Sequence, residues 1–299
     1  MFVVTGATGH TGKIVVERLL GQKKKVRAIG RNKDRLQPLV ARGAEAIIAN
    51  LDDQAALARA FKGADAVYVM IPPNEKSQDP LGDSHRVAQA ITGALQESDV
   101  KYVVQLSSVG ADKDARTGPV VGLYGFEKML DAIEGLNVLH LRPAYFMENT
   151  LGQAAAVAKM GYTVGLLRSD LKLPMIATKD ISNRVAELLL DLNFRGKQTH
   201  ELLGHADLTM SEVADTIGRV IGKPGLTYKQ LPPEQVKPVL EQMGMSTPAA
   251  DLIIEMSAAL NSGHMRALEP RTKQNTTPTS YETFAREELL PLYRQQQAA

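Results

Sequence analysis

The chain contains no cysteine. That excludes a disulfide framework, a thiol nucleophile and a zinc–sulfur centre, and it suits the reducing cytoplasm expected for this protein. Also missing is any apolar run near the roughly 20 residues that a bilayer span requires, so no membrane association is expected. A strand that begins at residue 2 leaves no room for a secretory leader. Neither sign of charge dominates: 35 basic residues against 33 acidic ones give a formal net charge of +2. The one basic run, Lys23-Lys24-Lys25, reads as a solvated loop, and without a basic stripe no nucleic-acid partner is expected. What is present is 299 residues, 44% of them hydrophobic, enough for a sizeable core and two lobes.

The chain opens Phe-Val-Val-Thr-Gly-Ala-Thr-Gly-His-Thr-Gly over residues 2–12: a short apolar strand, a turn with glycines at Gly6, Gly9 and Gly12, then a helix-like stretch. A dinucleotide's pyrophosphate needs that order. Glycine lets the backbone turn sharply and approach phosphate oxygens, and the helix N-terminus offers unpaired N–H groups. Gly6, Thr8, Gly9, His10, Thr11 and Gly12 are therefore the candidate phosphate cradle, with His10 reading mainly as an exposed spacer.

Strand-like segments at 2–5, 26–29, 46–48, 66–70, 102–106 and 138–141 alternate with helix-like segments at 13–20, 33–41, 54–61, 84–97 and 122–133. Near-continuous apolar strands with short connections predict an α/β doubly wound parallel-sheet (Rossmann) domain over residues 1–149. Beyond it the rhythm lapses. Asp180 reads as the N-cap of a helix reaching about Leu192, 199–203 as a strand, and Thr209-Met-Ser-Glu212 as a capping box. Residues 177–205 are expected to return to the first domain. Residues 150–176 and 206–299 are expected to form a smaller, mostly helical substrate-binding lobe.

The acidic residue that usually holds the ribose 2′-hydroxyl of NAD lies about 20 residues past the glycines. Here Arg31 stands 19 residues after Gly12, and no carboxylate intervenes before Asp34. A guanidinium there suits a 2′-phosphate, with Lys33 and Arg35 adding positive charge, so NADP(H) is expected in preference to NAD(H). Tyr145 and Phe146 sit just past the sixth strand's carboxyl end, where open α/β sheets bind ligands, and are candidate substrate contacts.

The segments Thr5-Gly-Ala-Thr-Gly-His-Thr-Gly12, Gly30-Arg31-Asn32 and Leu141-Arg-Pro-Ala-Tyr-Phe-Met-Glu-Asn149 resemble the NmrA-like family of atypical short-chain dehydrogenases. The resemblance is strongest over residues 1–150 and thinner to about residue 260. It implies an adenine pocket at Asn50 and Leu51, where many relatives carry aspartate, and a cofactor cleft lined by Ile71 and Pro72. It also implies that Pro143, Tyr145, Phe146 and Asn149 approach the nicotinamide and substrate.

In reductases of the wider superfamily a tyrosine and a lysine four residues later share one helix face. The lysine holds the nicotinamide ribose and lowers the phenol pKa. Tyr124 and Lys128 match that spacing, with Ser108 as candidate catalytic serine and Ser107 beside the cofactor. The expected function is NADPH-dependent hydride transfer to a small quinone, dye or carbonyl substrate. The family leaves open a non-catalytic NADP(H)-sensing regulator with a protein partner, and the fold leaves open an NAD-dependent epimerase. His200-Glu-Leu-Leu-Gly-His205 is one residue too long for a zinc-protease motif, so no metal is expected. Met243, Met245, Met256 and Met265 read as lobe packing before pocket lining. Oligomeric state is not encoded in any motif.

Overall fold

Strand residues of opposite parity sort onto two helical layers, and that sorting builds the molecule. A computed structural model describes residues 1–298. The first half runs β1 (Phe2–Val4), α1 (His10–Gly21), β2 (Val26–Gly30), α2 (Lys33–Val40), β3 (Glu45–Ile48), α3 (Gln54–Phe61), β4 (Ala66–Val69), α4 (Pro80–Gln96), β5 (Tyr102–Leu106), α5 (Val120–Asp131) and β6 (Asn137–Pro143). Val4, Ala28, Tyr68, Val104 and Leu139 share a core with α1, α2 and the later helix Thr178–Asp191, whereas Val3, Ile29, Val67, Val103 and Val138 share one with α3, α4 and α5. Period-two alternation in a strand produces this two-sided burial.

After β6 come β7 (Tyr145–Phe146), α6 (Gln153–Met160), β8 (Thr163–Gly165), β9 (Leu173–Ile176), α7 (Thr178–Asp191) and β10 (Lys197–Leu202). β10 pairs in parallel with β6 from Lys197↔Val138 to Leu202↔Pro143. α7 packs against α1, where Arg18 Nε donates to Asn183 Oδ1 at 2.8 Å. The chain ends with β11 (Ala206–Leu208), α8 (Met210–Ile221), β12 (Tyr228–Gln230), α9 (Pro233–Gln242), α10 (Thr247–Ser262), α11 (Tyr281–Phe284) and α12 (Leu290–Ala298). The main sheet is seven-stranded, ordered β10-β6-β5-β4-β1-β2-β3, with every pair parallel. The doubly wound α/β fold expected from the sequence is the one observed.

Two local expectations need correction, and one gains detail. The region after β6 is mostly helical, as expected, and its short strands add a three-stranded sheet, β11-β9-β7, and a two-stranded sheet, β12-β8. These strands are too short to carry an alternation signal. Asp180 is not an N-cap, since Ala177 holds that place; the buried Asp180 carboxylate instead accepts the backbone N–H (3.0 Å) and hydroxyl (2.8 Å) of Thr279. α1 begins at His10 rather than residue 13, so Gly12 lies inside its first turn. The capping box at Thr209 and Glu212 is present. Among the methionines, Met265 is buried and Met256 packs against the same core, but Met243 at the end of α9 is 78% exposed.

One helix of the second region closes over the carboxyl edge of the sheet. Ser246, the N-cap of α10, donates its N–H to the Glu75 carbonyl in the loop after β4 (2.8 Å). Midway, Glu255 accepts the Gly118 N–H in the loop after β5 (3.1 Å). Just beyond its end, Met265 lies against Gly110. α10 therefore bridges the loops after β4 and β5.

Candidate active site

All seven main strands point their carboxyl ends the same way, so the loops that follow them share one crevice. At its centre is the turn from β1 to α1. Gly6 adopts a left-handed φ of +59°, and a Cβ there would stand 2.8 Å from Met70 Sδ. A Cβ on Gly12 would stand 2.3 Å from the Gly6 carbonyl oxygen, so only glycine lets α1 pack this closely on the turn. Gly9 is the N-cap of α1 and supplies no side chain, leaving the helix N-terminus free to face an anion. These features fit a pyrophosphate cradle. Thr8 is half-buried and His10 exposed, whereas Thr11 turns inward, its hydroxyl sharing a hydrogen bond with Tyr68 Oη at 2.9 Å. Burial raises the Tyr68 phenol pKa, opposed by that Thr11 bond.

At the end of β2, Asn32 caps α2 by accepting the Arg35 N–H (3.0 Å), and the Arg35 guanidinium donates to the Thr8 carbonyl (2.9 Å). That bond ties the second βα unit to the glycine turn, so Arg35 has a structural task. Arg31 and Lys33 are exposed and have no ion pair among the described residues. Asn50, just after β3, is exposed with no side-chain bond to the protein, while neighbouring Leu51 is buried in the α3–α4 core. Ile71 and Pro72 are half-buried where the chain leaves β4.

The β5–β6 end is organised differently. Ser107 Oγ donates to Glu127 Oε1 at 2.5 Å. Arg142 grips the same carboxylate with both ends of its fork, Nε to Oε1 at 2.9 Å and Nη2 to Oε2 at 2.5 Å, and Nη2 also reaches the Ala111 carbonyl at 3.2 Å. The pair is nearly dry, with side-chain exposures of 12% for Arg142 and 4% for Glu127. Burial works against the Arg142 charge, but the hydrogen bonds and charge of Glu127 outweigh it and hold the pKa above its usual value. Register sets Arg142 opposite Glu201 of β10, whose buried carboxylate accepts the Leu268 and Glu269 N–H groups. Nothing in the sequence pattern singled out Glu127, Arg142 or Glu201. The available signal was an acidic residue beside Lys128 on α5 and an arginine within the Arg-Pro segment.

Tyr124 and Lys128 do lie on one face of α5, with the ammonium 5.4 Å from the Tyr124 ring centroid. Lys128 is exposed and Tyr124 half-buried. Ser107 is held by Glu127, and the Ser108 hydroxyl donates to the Val109 carbonyl (2.9 Å), so neither hydroxyl proton is free to polarise a substrate oxygen. At the end of β6 Pro143 is buried, and just past it Tyr145 and Phe146 are half-buried. Burial pushes the Tyr145 phenol up to about 12, partly opposed by the Asn149 side chain. Asn149 is exposed. Its neighbour Glu148 accepts the N–H (2.9 Å) and hydroxyl (2.6 Å) of Thr178, capping α7 where Ala177 provides no side chain. No cluster of three or more potential metal ligands occurs among the described residues, and no helix there is long and apolar enough to cross a membrane.

A parallel sheet whose strand order reverses at β1 and β4, with a glycine cradle between β1 and α1, defines a Rossmann-type dinucleotide-binding protein. More narrowly, residues 1–286 match the NmrA-like family, and the chain belongs to it. The chain is 27% identical over 269 residues to quinone oxidoreductase 2 of Escherichia coli K12, covering 88% of this chain and 89% of that one. It is 28% identical over 260 residues to the NAD(P)H azoreductase of Xenophilus azovorans, covering 86% of each. The crystal structure of an E. coli NADPH-dependent quinone oxidoreductase complexed with NADPH matches it with a TM-score of 0.77 at 25% identity, over 94% of this chain and 97% of that one. These relatives place the chain among the NmrA-like oxidoreductases.

Proposed function

We propose that the protein is an NADPH-dependent reductase that passes hydride to a small quinone or dye. In this reading residues 1–149, with 177–205, bind the cofactor, and residues 150–176 with 206–299 set substrate choice. The observation that carries the cofactor assignment is the pair of unpaired cations, Arg31 and Lys33, beside a glycine turn that Arg35 already braces. A carboxylate at the end of β2 would repel a 2′-phosphate; a guanidinium attracts it. Gly6, Thr8, Gly9, His10, Thr11 and Gly12 cradle the pyrophosphate, mainly through backbone N–H groups. Asn50 and Leu51 receive the adenine, while Ile71, Pro72, Ser107 and Pro143 flank the nicotinamide half.

Bound NADPH supplies a hydride at its nicotinamide ring. Lys128 orients the nicotinamide ribose, and Tyr124 beside it is the available proton donor. Tyr145, Phe146 and Asn149 contact the substrate. The engagement of both serine hydroxyls favours quinones and dyes over simple carbonyls, because these acceptors take hydride without a donor polarising one oxygen.

The test follows NADPH absorbance with 1,4-naphthoquinone, an azo dye and benzaldehyde as acceptors. Turnover is expected with the first two. Lys128→Ala is expected to raise the NADPH KM and lower kcat/KM, and Tyr124→Phe to cost less than the roughly 100-fold typical of an essential general acid. Tight NADPH binding without reduction of any acceptor would favour the sensor reading instead.

A further inference from the structure

The glycine turn between β1 and α1 is braced by one residue of the neighbouring strand β4. Tyr68 lies directly beside Val4, the last residue of β1. Its carbonyl oxygen accepts two bonds from Thr5 at the entry to the turn, one from the backbone N–H (3.0 Å) and one from the hydroxyl (3.1 Å). Its phenol meets the hydroxyl of Thr11 at the exit, inside the first turn of α1 (2.9 Å). We infer that Tyr68 is a positioning residue for the pyrophosphate cradle: it holds both ends of the turn at a fixed separation, so that the N–H groups at the start of α1 are set for the phosphates. This role rests on the reading of the turn as the NADPH site.

The brace is rigid and dry. Tyr68 is wholly buried, and Thr5 and Thr11 are buried with it, so water does not compete for these bonds. Between the carbonyl and the phenol oxygen stands a flat ring with few rotatable bonds, which keeps the two points of attachment from drifting apart. The direction of the second bond follows from counting protons. Tyr68 Oη has Thr11 Oγ1 as its one hydrogen-bond partner among the described residues, and a buried O–H without an acceptor is disfavoured, so the phenol donates and Thr11 accepts. Burial raises the phenol pKa, with the Thr11 bond opposing, and the proton stays in place at neutral pH.

The contacts continue at the apex. A Cβ on Gly6 would stand 2.8 Å from Met70 Sδ, so the stretch from Tyr68 to Met70 touches the turn at Thr5, Gly6 and Thr11. On the other side, β2 reaches the turn through its backbone, with the Ala7 N–H donating to the Ile29 carbonyl (3.0 Å). The Tyr68 phenol is therefore a support that substitution can remove without touching the ligand-facing backbone.

Fluorescence titration with NADPH tests this on Tyr68→Phe, Thr11→Val, their double variant and Thr11→Ser. Tyr68→Phe keeps the ring and the Thr5 bonds and removes only the phenol oxygen. It should bind NADPH about fivefold more weakly, the worth of one neutral hydrogen bond. Thr11→Val should lose a similar factor, and the double variant no more than either, because the two hydroxyls act as one unit. Thr11→Ser retains the hydroxyl and should bind like the parent. Adenosine 2′-monophosphate carries the 2′-phosphate without the pyrophosphate. Its affinity, measured by calorimetry, should be unchanged in Tyr68→Phe, which a general loosening of the fold would not allow. A Tyr68→Phe protein that binds NADPH as tightly as the parent, losses that multiply in the double variant, or equal proportional losses for the two ligands would overturn the role of Tyr68 alone. A parent protein that binds no NADPH would overturn the cofactor reading, and the role of Tyr68 with it.

Discussion

At the β1–β2 end of the crevice, the N-terminus of α1, Arg31, Lys33 and the Asn50 side chain present groups that no other part of the described chain takes up. At the β5–β6 end, Ser107, Glu127, Arg142 and Ala111 are bonded to one another, and Glu201 is bonded to the segment after α10. The first end lacks internal partners. The second satisfies its own polar groups and acts as a foundation. Perturbing the first should therefore alter binding with modest change in stability, and perturbing the second should alter stability before binding.

The largest effect expected falls on the foundation. Arg142→Leu strands the buried Glu127 carboxylate, and breaking a buried pair from one side costs about 3–5 kcal/mol. Thermal denaturation should show a Tm lowered by roughly 5–15 °C. The double variant Arg142→Leu/Glu127→Leu should recover much of that loss, because no uncompensated charge remains. A single variant as stable as the parent would remove the distinction between the two ends.

Gly12→Val comes next, and it sharpens the comparison from the other side. The added Cβ meets the Gly6 carbonyl at 2.3 Å, so α1 must shift away from the turn. Overpacking of this kind costs about 1–3 kcal/mol. The displaced turn should cost far more in NADPH affinity, measured by fluorescence titration, than the Tm change alone would suggest. A variant that binds NADPH normally would mean the turn is not the cradle.

The glycine turn was legible because its signals are local. Three glycines within seven residues, a strand before them and Arg31 at a fixed distance are all visible in one stretch of chain. Near-continuous apolar runs likewise announced most of the main strands. The foundation was opaque because its partners are far apart in sequence. Glu127 meets Ser107 across 20 residues and Arg142 across 15, and Asp180 meets Thr279 across 99. Local pattern assigned Asp180 to a helix cap, the commonest task of an aspartate near a helix start, and tertiary packing gave it another. Ser107 and Ser108 sit where a catalytic serine was expected, yet their hydroxyl bonds depend on neighbours that only the folded chain brings near. Sequence pattern could not reveal what each hydroxyl bonds.

The smallest effect is the most selective. Arg31 is exposed and unpaired, so Arg31→Ala disturbs nothing that holds the fold, and Tm should hardly move. If its guanidinium meets the 2′-phosphate, NADPH should bind about tenfold more weakly, the value of one charge-assisted bond reduced by solvent screening. NADH lacks that phosphate and should bind the variant as well as the parent. The difference between the two cofactors should shrink as salt rises, because an exposed charge pair is screened within about one Debye length. Lys33→Ala should show the same pattern at lower amplitude if it lies at the rim of the same pocket. Equal losses for NADPH and NADH would mean that Arg31 supports the turn, as Arg35 does, and that the positive charge at this end serves architecture rather than recognition.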